Sequence, residues 1–181
     1  MKKILLFLSA FIPLYFLINI KIIIDIIMQN LSPNFLNIMT LVVLSVLIGL
    51  GIYGAYISLA HKNTKQCEIQ IVQKCAITEQ YFLGYFSLFV LFALSFELER
   101  VSMFVVFVFI VVFIGIVYIK NDLFYINPFL NILGYNFYDV SYIDETGAEH
   151  FAKFLCKGKL DLQQRTHKAK LSHQNFSMII Q

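Results

Sequence analysis

The sequence predicts an integral membrane α-helical protein with four transmembrane helices, both termini on the cytoplasmic side, and a small cytoplasmic β-hairpin or β-sheet module. An apolar excess, four long apolar runs and a one-sided distribution of lysine and arginine carry that prediction. Of the 181 residues, 59% are hydrophobic and 16% aromatic, with a mean hydropathy of +0.76. Soluble domains average only ~45–50% apolar residues.

The excess lies in Ile4 to Ile20, extended to about Met28, in Phe35 to Ala60, in Tyr81 to Phe96 and in Val101 to Ile119. Each run approaches the ~20 residues a helix needs to cross a hydrocarbon core of ~30 Å. Helices are therefore expected over about 4–28, 35–60, 80–96 and 101–119, the third being the shortest, with a strand-bearing loop over 61–79. Residues 1–119 form the transmembrane domain in this reading, and 120–181 the cytoplasmic module.

Four crossings leave both termini on one side, and the basic residues say which. Twelve of the fourteen lysines and arginines fall on the side of the N-terminus, and only Lys21 and Arg100 fall opposite. The positive-inside rule makes the richer side cytoplasmic. Lys2 and Lys3 followed by "ILLFLSAF" resemble the start of a cleaved signal peptide, but no small-x-small site follows. The segment reads as a retained first helix, kinked near Pro13.

No acidic or basic residue interrupts the four runs at mid-membrane depth, where each would cost at least ~2.5–3.5 kcal/mol. Charges gather instead at the outer helix ends. Lys21 and Asp25 stand one turn apart, where a pair can form, and Glu97, Glu99 and Arg100 occupy a short outer loop. These five are the candidate outer-face sensing residues. The second helix carries Ser45 and Gly49, Gly51 and Ala55, and Gly54 and Ser58, each pair separated by three residues. Small residues at that spacing let helix backbones approach closely. They serve packing within one chain or contact between copies, so all six are helix-packing or oligomer candidates. The fourth helix, "FVVFVFIVVFIGIV", is almost free of small residues and is expected to face lipid.

The remaining segments alternate. In "QCEIQIVQKCAITEQ", Cys67, Ile69 and Ile71 alternate with Glu68 and Gln70, a period-two strand pattern. After the fourth helix, "NPFLNILGY" supports a short helix over 127–134, started at Asn127 and Pro128, stopped by Gly134, and suited to a membrane surface. "YNFYDVSYI", "DETG" and "AEHFAKFLCKG" then make a hairpin over 136–156. A two-stranded hairpin is marginal in water, so a third strand around Ile69 to Val72 and a fourth from "NFSMII" are expected to join it.

Cys67, Cys75 and Cys156 all fall in cytoplasmic segments, where reducing conditions disfavour a disulfide framework. Cys67 and Cys75 are eight residues apart rather than at the spacing of a zinc knuckle, and an alternating strand would put both on one face. Packing is the reading and a metal site the alternative. The chain has no Walker loop, G-x-S-x-G, H-E-x-x-H or C-x-x-C motif. Asp144, Glu145, Glu149 and His150 gather at the hairpin turn, where turn chemistry and solvated strand ends explain them as readily as acid–base work. Enzyme activity and cofactors are not expected. The basic C-terminal stretch holds Lys153, Lys157, Lys159, Arg165, Lys168 and Lys170 against Asp161 alone. These six are candidates for contact with a partner or with membrane lipid headgroups, the alternative being a solvated linker. They lack the interleaved aromatics of a base-stacking surface, so nucleic acid is expected only indirectly, through a partner.

The four-helix pattern, the strand-bearing loop and "YINPFLNILGYNFYDVSYIDETG" together resemble the KwaA family, the small membrane component of the Kiwa anti-phage defence system. The resemblance covers nearly the whole chain, with its sequence-specific part in the Asn-Pro to Tyr-Asp-Val stretch. It implies a homo-oligomer in the bacterial inner membrane that detects infection and works with a cytoplasmic partner, KwaB, which acts on phage DNA. It transfers no catalytic residue. Three function classes follow: a sensor and scaffold, inert alone; a pore-forming effector, toxic alone, with Ser45 and Tyr53 as candidate lining residues; and a small-solute transporter, weakened by the missing mid-membrane charge.

Overall fold

A computed structural model describes residues 2–28, 34–60, 66–95, 101–144, 146–160, 166–170 and 177–180. The chain divides into a helical unit, residues 1–59 and 84–129, and a β unit, residues 60–83 and 130–181.

The helical unit opens with α1 (Lys2–Ala10) and α2 (Ile12–Met28), bent by 46° at the kink expected near Pro13. Pro13 is the cause: it offers no N–H to the Ser9 carbonyl, and its ring crowds that turn. The break falls at Phe11, two residues before the proline, and Pro13 itself sits in the first turn of α2, where a missing N–H costs nothing. The Phe11 amide bonds back to Leu8 O at 3.2 Å, closing the gap with a tighter turn.

Next come α3 (Phe35–Leu59), α4 (Ile77–Ser95) and α5 (Val101–Lys120). Among the described residues, α3 and α5 are long and apolar enough to cross a membrane, and the α1–α2 pair makes a third crossing if it acts as one span. Glycines set the closest approach. A Cβ on Gly54 would lie 2.6 Å from Leu5 and one on Gly51 2.9 Å from Ile12, so α3 presses directly on α1 and α2. On α5, Gly115 admits the Phe7 ring, whose centroid lies 4.8 Å from that of Phe11 and 5.5 Å from that of Tyr118. Otherwise α5 buries only Phe107 and Tyr118 among its large side chains, as a lipid-facing helix would.

The β unit is a closed five-stranded barrel in the order β1-β2-β3-β5-β4, built from β1 (Gln66–Ala76), β2 (Tyr135–Ile143), β3 (Glu149–Lys157), β4 (Thr166–Lys170) and β5 (Ser177–Ile180). All neighbours are antiparallel except β3 and β5. This is the connectivity of an OB-type Greek-key barrel, and closure removes the edges that an open sheet exposes. Ile69, Tyr138, Val140, Tyr142, Phe154, Cys156, Leu160, Ala169 and Ile179 fill the interior. Phe137 and Leu155 face the other way yet are also buried; the Phe137 amide donates to Thr78 Oγ1 at 2.7 Å, bringing the first turn of α4 against β2.

Two expectations change. Part of the basic C-terminal stretch is strand rather than linker: β4 pairs with the first half of β1, from Gln66↔Lys170 to Gln70↔Thr166. Short polar strands of this kind have weak alternation, so closure by β1 and β5 supplies the order that the local pattern lacks. The short helix is also smaller than 127–134. It spans Pro128–Ile132 and follows a single 3₁₀ turn at Leu123–Tyr125, with Gly134 at φ +82° ending the segment.

Candidate functional site

Two polar contacts join α1 to the segment that follows α5, one exposed at the start of α1 and one buried near its end. Asp122 follows α5 in a left-handed conformation, φ 51°, which aspartate tolerates better than most residues. Its Oδ1 accepts from Lys3 Nζ at 2.6 Å, and the same ammonium lies 5.6 Å from the Phe124 ring centroid. Ser9 and Asn127, both buried, join across 2.8 Å, Asn127 Nδ2 donating to Ser9 Oγ. Ser9 Oγ in turn donates to Leu6 O at 2.7 Å. The Asn-Pro motif is thus tied to the turn of α1 that Pro13 disrupts. Sequence reading missed Ser9; its signal was a hydroxyl residue four positions before a proline.

The small residues of α3 separate into two groups. Gly51, Gly54, Ala55 and Ser58 are buried, and Ser58 Oγ donates to Gly54 O at 2.8 Å. These four pack within the chain. Ser45 and Gly49 are exposed; a Cβ on Gly49 would meet nothing within 4 Å, and Asn19 Nδ2 reaches Ser45 Oγ at 3.5 Å. Two residues further along α2, Lys21 Nζ donates to Leu94 O of α4 at 3.3 Å, and Asp25 is half-buried. Glu97, Glu99 and Arg100 lie outside the described residues.

In the barrel, β1 changes sides partway along. Its register with β2 shifts between Ile71 and Gln73, so Val72 and Gln73 both turn outward and every later residue reverses face. Cys67 packs against the interior and its Sγ reaches Ala169 O at 3.6 Å, whereas Cys75 is exposed. The expectation that both thiols share a face fails for this reason. Cys156 is wholly buried, and burial pushes its thiol up despite the opposing effect of the Lys74 charge. Lys74 Nζ donates to Leu160 O and lies 5.9 Å from the Tyr138 ring centroid. Among the described residues, no group of three or more His, Cys, Asp or Glu is placed to hold a metal.

The outer face of β1, β2 and β3 carries an open hollow of about 550 Å³, lined by Gln73, Cys75, Asp139, Ser141, Phe151 and Lys153 among others. OB-type barrels use this face for oligonucleotides. Here its lysine, Lys153, is paired with Asp139 at 3.2 Å, rather than forming the positive groove that tracks a phosphate backbone. Phe151 is 80% exposed on the same face. Lys157, Lys159 and Lys168 are exposed, Lys170 falls in β4, and Arg165 lies outside the described residues.

The acidic turn is a structural device. Asp144 Oδ1 accepts from Thr146 N at 2.8 Å, Thr146 Oγ1 at 2.6 Å and Ala148 N at 3.0 Å, while Oδ2 meets His150 Nε2 at 3.0 Å. The Thr146 hydroxyl does most to hold the carboxyl well below its usual range; desolvation, next in size, opposes it, and the Ala148 amide, His150 and the Thr146 amide add to the lowering. Ser141 Oγ donates to Glu149 Oε1 at 2.8 Å.

Fold and site together define a small protein of apolar, membrane-compatible helices joined to a barrel-shaped β module. Residues 2–177 match the family described as anti-phage protein KwaA. The chain belongs to that family, and its role is anti-phage defence. No curated protein and no solved structure matches it.

Proposed function

We propose that the chain is the membrane sensor and scaffold of a two-component anti-phage system, a homo-oligomer in the bacterial inner membrane. It detects infection there and passes the signal to a cytoplasmic, DNA-acting partner, KwaB. The chain itself catalyses nothing in this reading.

One observation carries the proposal: the helix pair α4–α5 is inserted between the first and second strands of one closed barrel. β1 runs straight into α4 at Ala76–Ile77, and β2 begins only after α5, with Gln70↔Ile143 to Ala76↔Tyr138 rejoining the two. A closed barrel needs β1 and β2–β5 on the same side of a membrane. If α5 crosses, α4 must cross back. This supports four spans, and the Lys3–Asp122 pair supports an N-terminus on that same side. The positive-inside bias makes the side cytoplasmic. Any shift of α4 against α5 then acts covalently on the β1–β2 seam, a two-state element that infection can bias.

Plaquing efficiency of a phage panel tests the proposal, on cells expressing this chain alone, its partner gene alone, and both. Protection only with both genes is expected. Protection by this chain alone would overturn the two-component reading. The pore-forming alternative rests on the exposed α3 surface, where Tyr53 is 57% and Tyr56 70% exposed on the same helix as the exposed Ser45. It predicts depolarisation and a growth defect from this chain alone. The transporter alternative predicts solute movement without toxicity.

A further inference from the structure

Within the helical unit, α1, α2, α3 and α5 do not close on one another completely. They leave a half-open crevice of about 670 Å³, walled by apolar side chains that include Ile4, Leu8, Leu47, Phe104, Val111 and Ile116. Its volume lies inside the ~300–1,000 Å³ range of small-molecule sites. Along α5 it extends from Phe104 to Lys120, roughly 24 Å at ~1.5 Å per residue. That exceeds the ~15 Å depth of half a ~30 Å hydrocarbon core. A single acyl chain entering from one leaflet therefore fits along it.

The crevice has one charged end. Lys120 lines it, is exposed, and has no hydrogen bond or ion pair among the described residues. The carboxylate two residues on, Asp122, is already engaged by Lys3 at 2.6 Å, so Lys120 is left without local compensation. The two features coincide on one ligand class. An acyl chain satisfies the walls, and a phosphate placed at the helix end meets the ammonium. We propose that this crevice binds an anionic phospholipid, one acyl chain lying along α5 between it and α3 and the headgroup phosphate held by Lys120. The proposal rests on the membrane-spanning reading and deepens it: lipid held there would couple the α1–α5 contact to the state of the bilayer.

The chain contains no tryptophan, which permits single-tryptophan reporters in proteoliposomes. Ile116→Trp places one in the crevice, one helical turn from Lys120, and Phe113→Trp places one on the 72% exposed face of α5 outside it. Quenching is compared for chain-brominated phosphatidylglycerol and phosphatidylcholine, each titrated into an unbrominated bilayer. At Ile116→Trp, phosphatidylglycerol is expected to act at about fivefold lower mole fraction, the equivalent of ~1 kcal/mol per lysine near an anionic surface. Phe113→Trp should show no headgroup preference, and adding Lys120→Gln should remove the preference at Ile116→Trp. Equal quenching by both lipids at Ile116→Trp would make the crevice ordinary lipid boundary and overturn the proposal. So would a preference that survives Lys120→Gln. Quenching of Phe113→Trp with none at Ile116→Trp would mean that a second copy of the chain fills the crevice instead. Absence of quenching at both positions would sink the membrane reading itself, and the site with it.

Discussion

Single atoms decide several contacts in the helical unit. Asn127 reaches Ser9 inside a buried environment, and removing it leaves the Ser9 hydroxyl bonded only to Leu6 O, its oxygen without the donor it accepts from. Asn127→Ala should destabilise the folded chain by about 1–3 kcal/mol, read as a lower midpoint in detergent-solubilised thermal unfolding. Tyr15 presents the opposite case, since its hydroxyl is buried with no partner among the described residues. Tyr15→Phe removes an unpaired polar group while keeping the ring, so the midpoint should stay or rise. Glycine positions discriminate as sharply. Gly54→Ala drives a methyl to within 2.6 Å of Leu5, including its backbone, and should lower stability, whereas Gly49→Ala meets open space and should be tolerated. Equal effects of the two alanines would contradict the packing described for α3.

At the scale of elements, the β2–β3 turn and the bulge in β1 each make a prediction. Asp144 has a folded-state pKa below its unfolded value, so its contribution is fully present above the unfolded value, about 4. It is lost only as pH falls through the lower folded value. The amides of Thr146 and Ala148 should keep their bonded NMR shifts through pH ~4 and lose them only in stronger acid; Asp144→Ala should abolish them at every pH. The bulge predicts thiol reactivity, because it separates faces that simple alternation would unite. Cys75 should react with a maleimide in the folded chain, while Cys156 reacts only on unfolding, its thiol both inaccessible and pushed up by burial. Fast labelling of Cys156 in the folded state would contradict the barrel interior. The strand pattern of β1, β2 and β3 was legible because apolar and polar residues alternate there. The reversal at Val72 was not, since a bulge is set by pairing with β2 rather than by residue type.

At the scale of the molecule, the insertion of α4–α5 into the barrel predicts that both sides of the insertion respond together. Cutting the chain between α4 and α5 and expressing the two pieces separately turns closure of the barrel from an intramolecular event into an intermolecular one. Anti-phage protection should fall steeply even where both pieces accumulate in the membrane; full protection from the pieces would show that covalent continuity is unnecessary. By itself, the sequence determined the apolar runs, the sidedness of charge, the hairpin and the family resemblance later borne out over residues 2–177. All are local or additive properties, written in composition and period. Only the tertiary structure decided the Ser9–Asn127 bond, the strand at Thr166–Lys170 and the closure of five strands into a barrel. Each depends on partners far apart in the chain: β4 is a strand because β1 lies beside it, and β1 is held there by residues that follow α4 and α5.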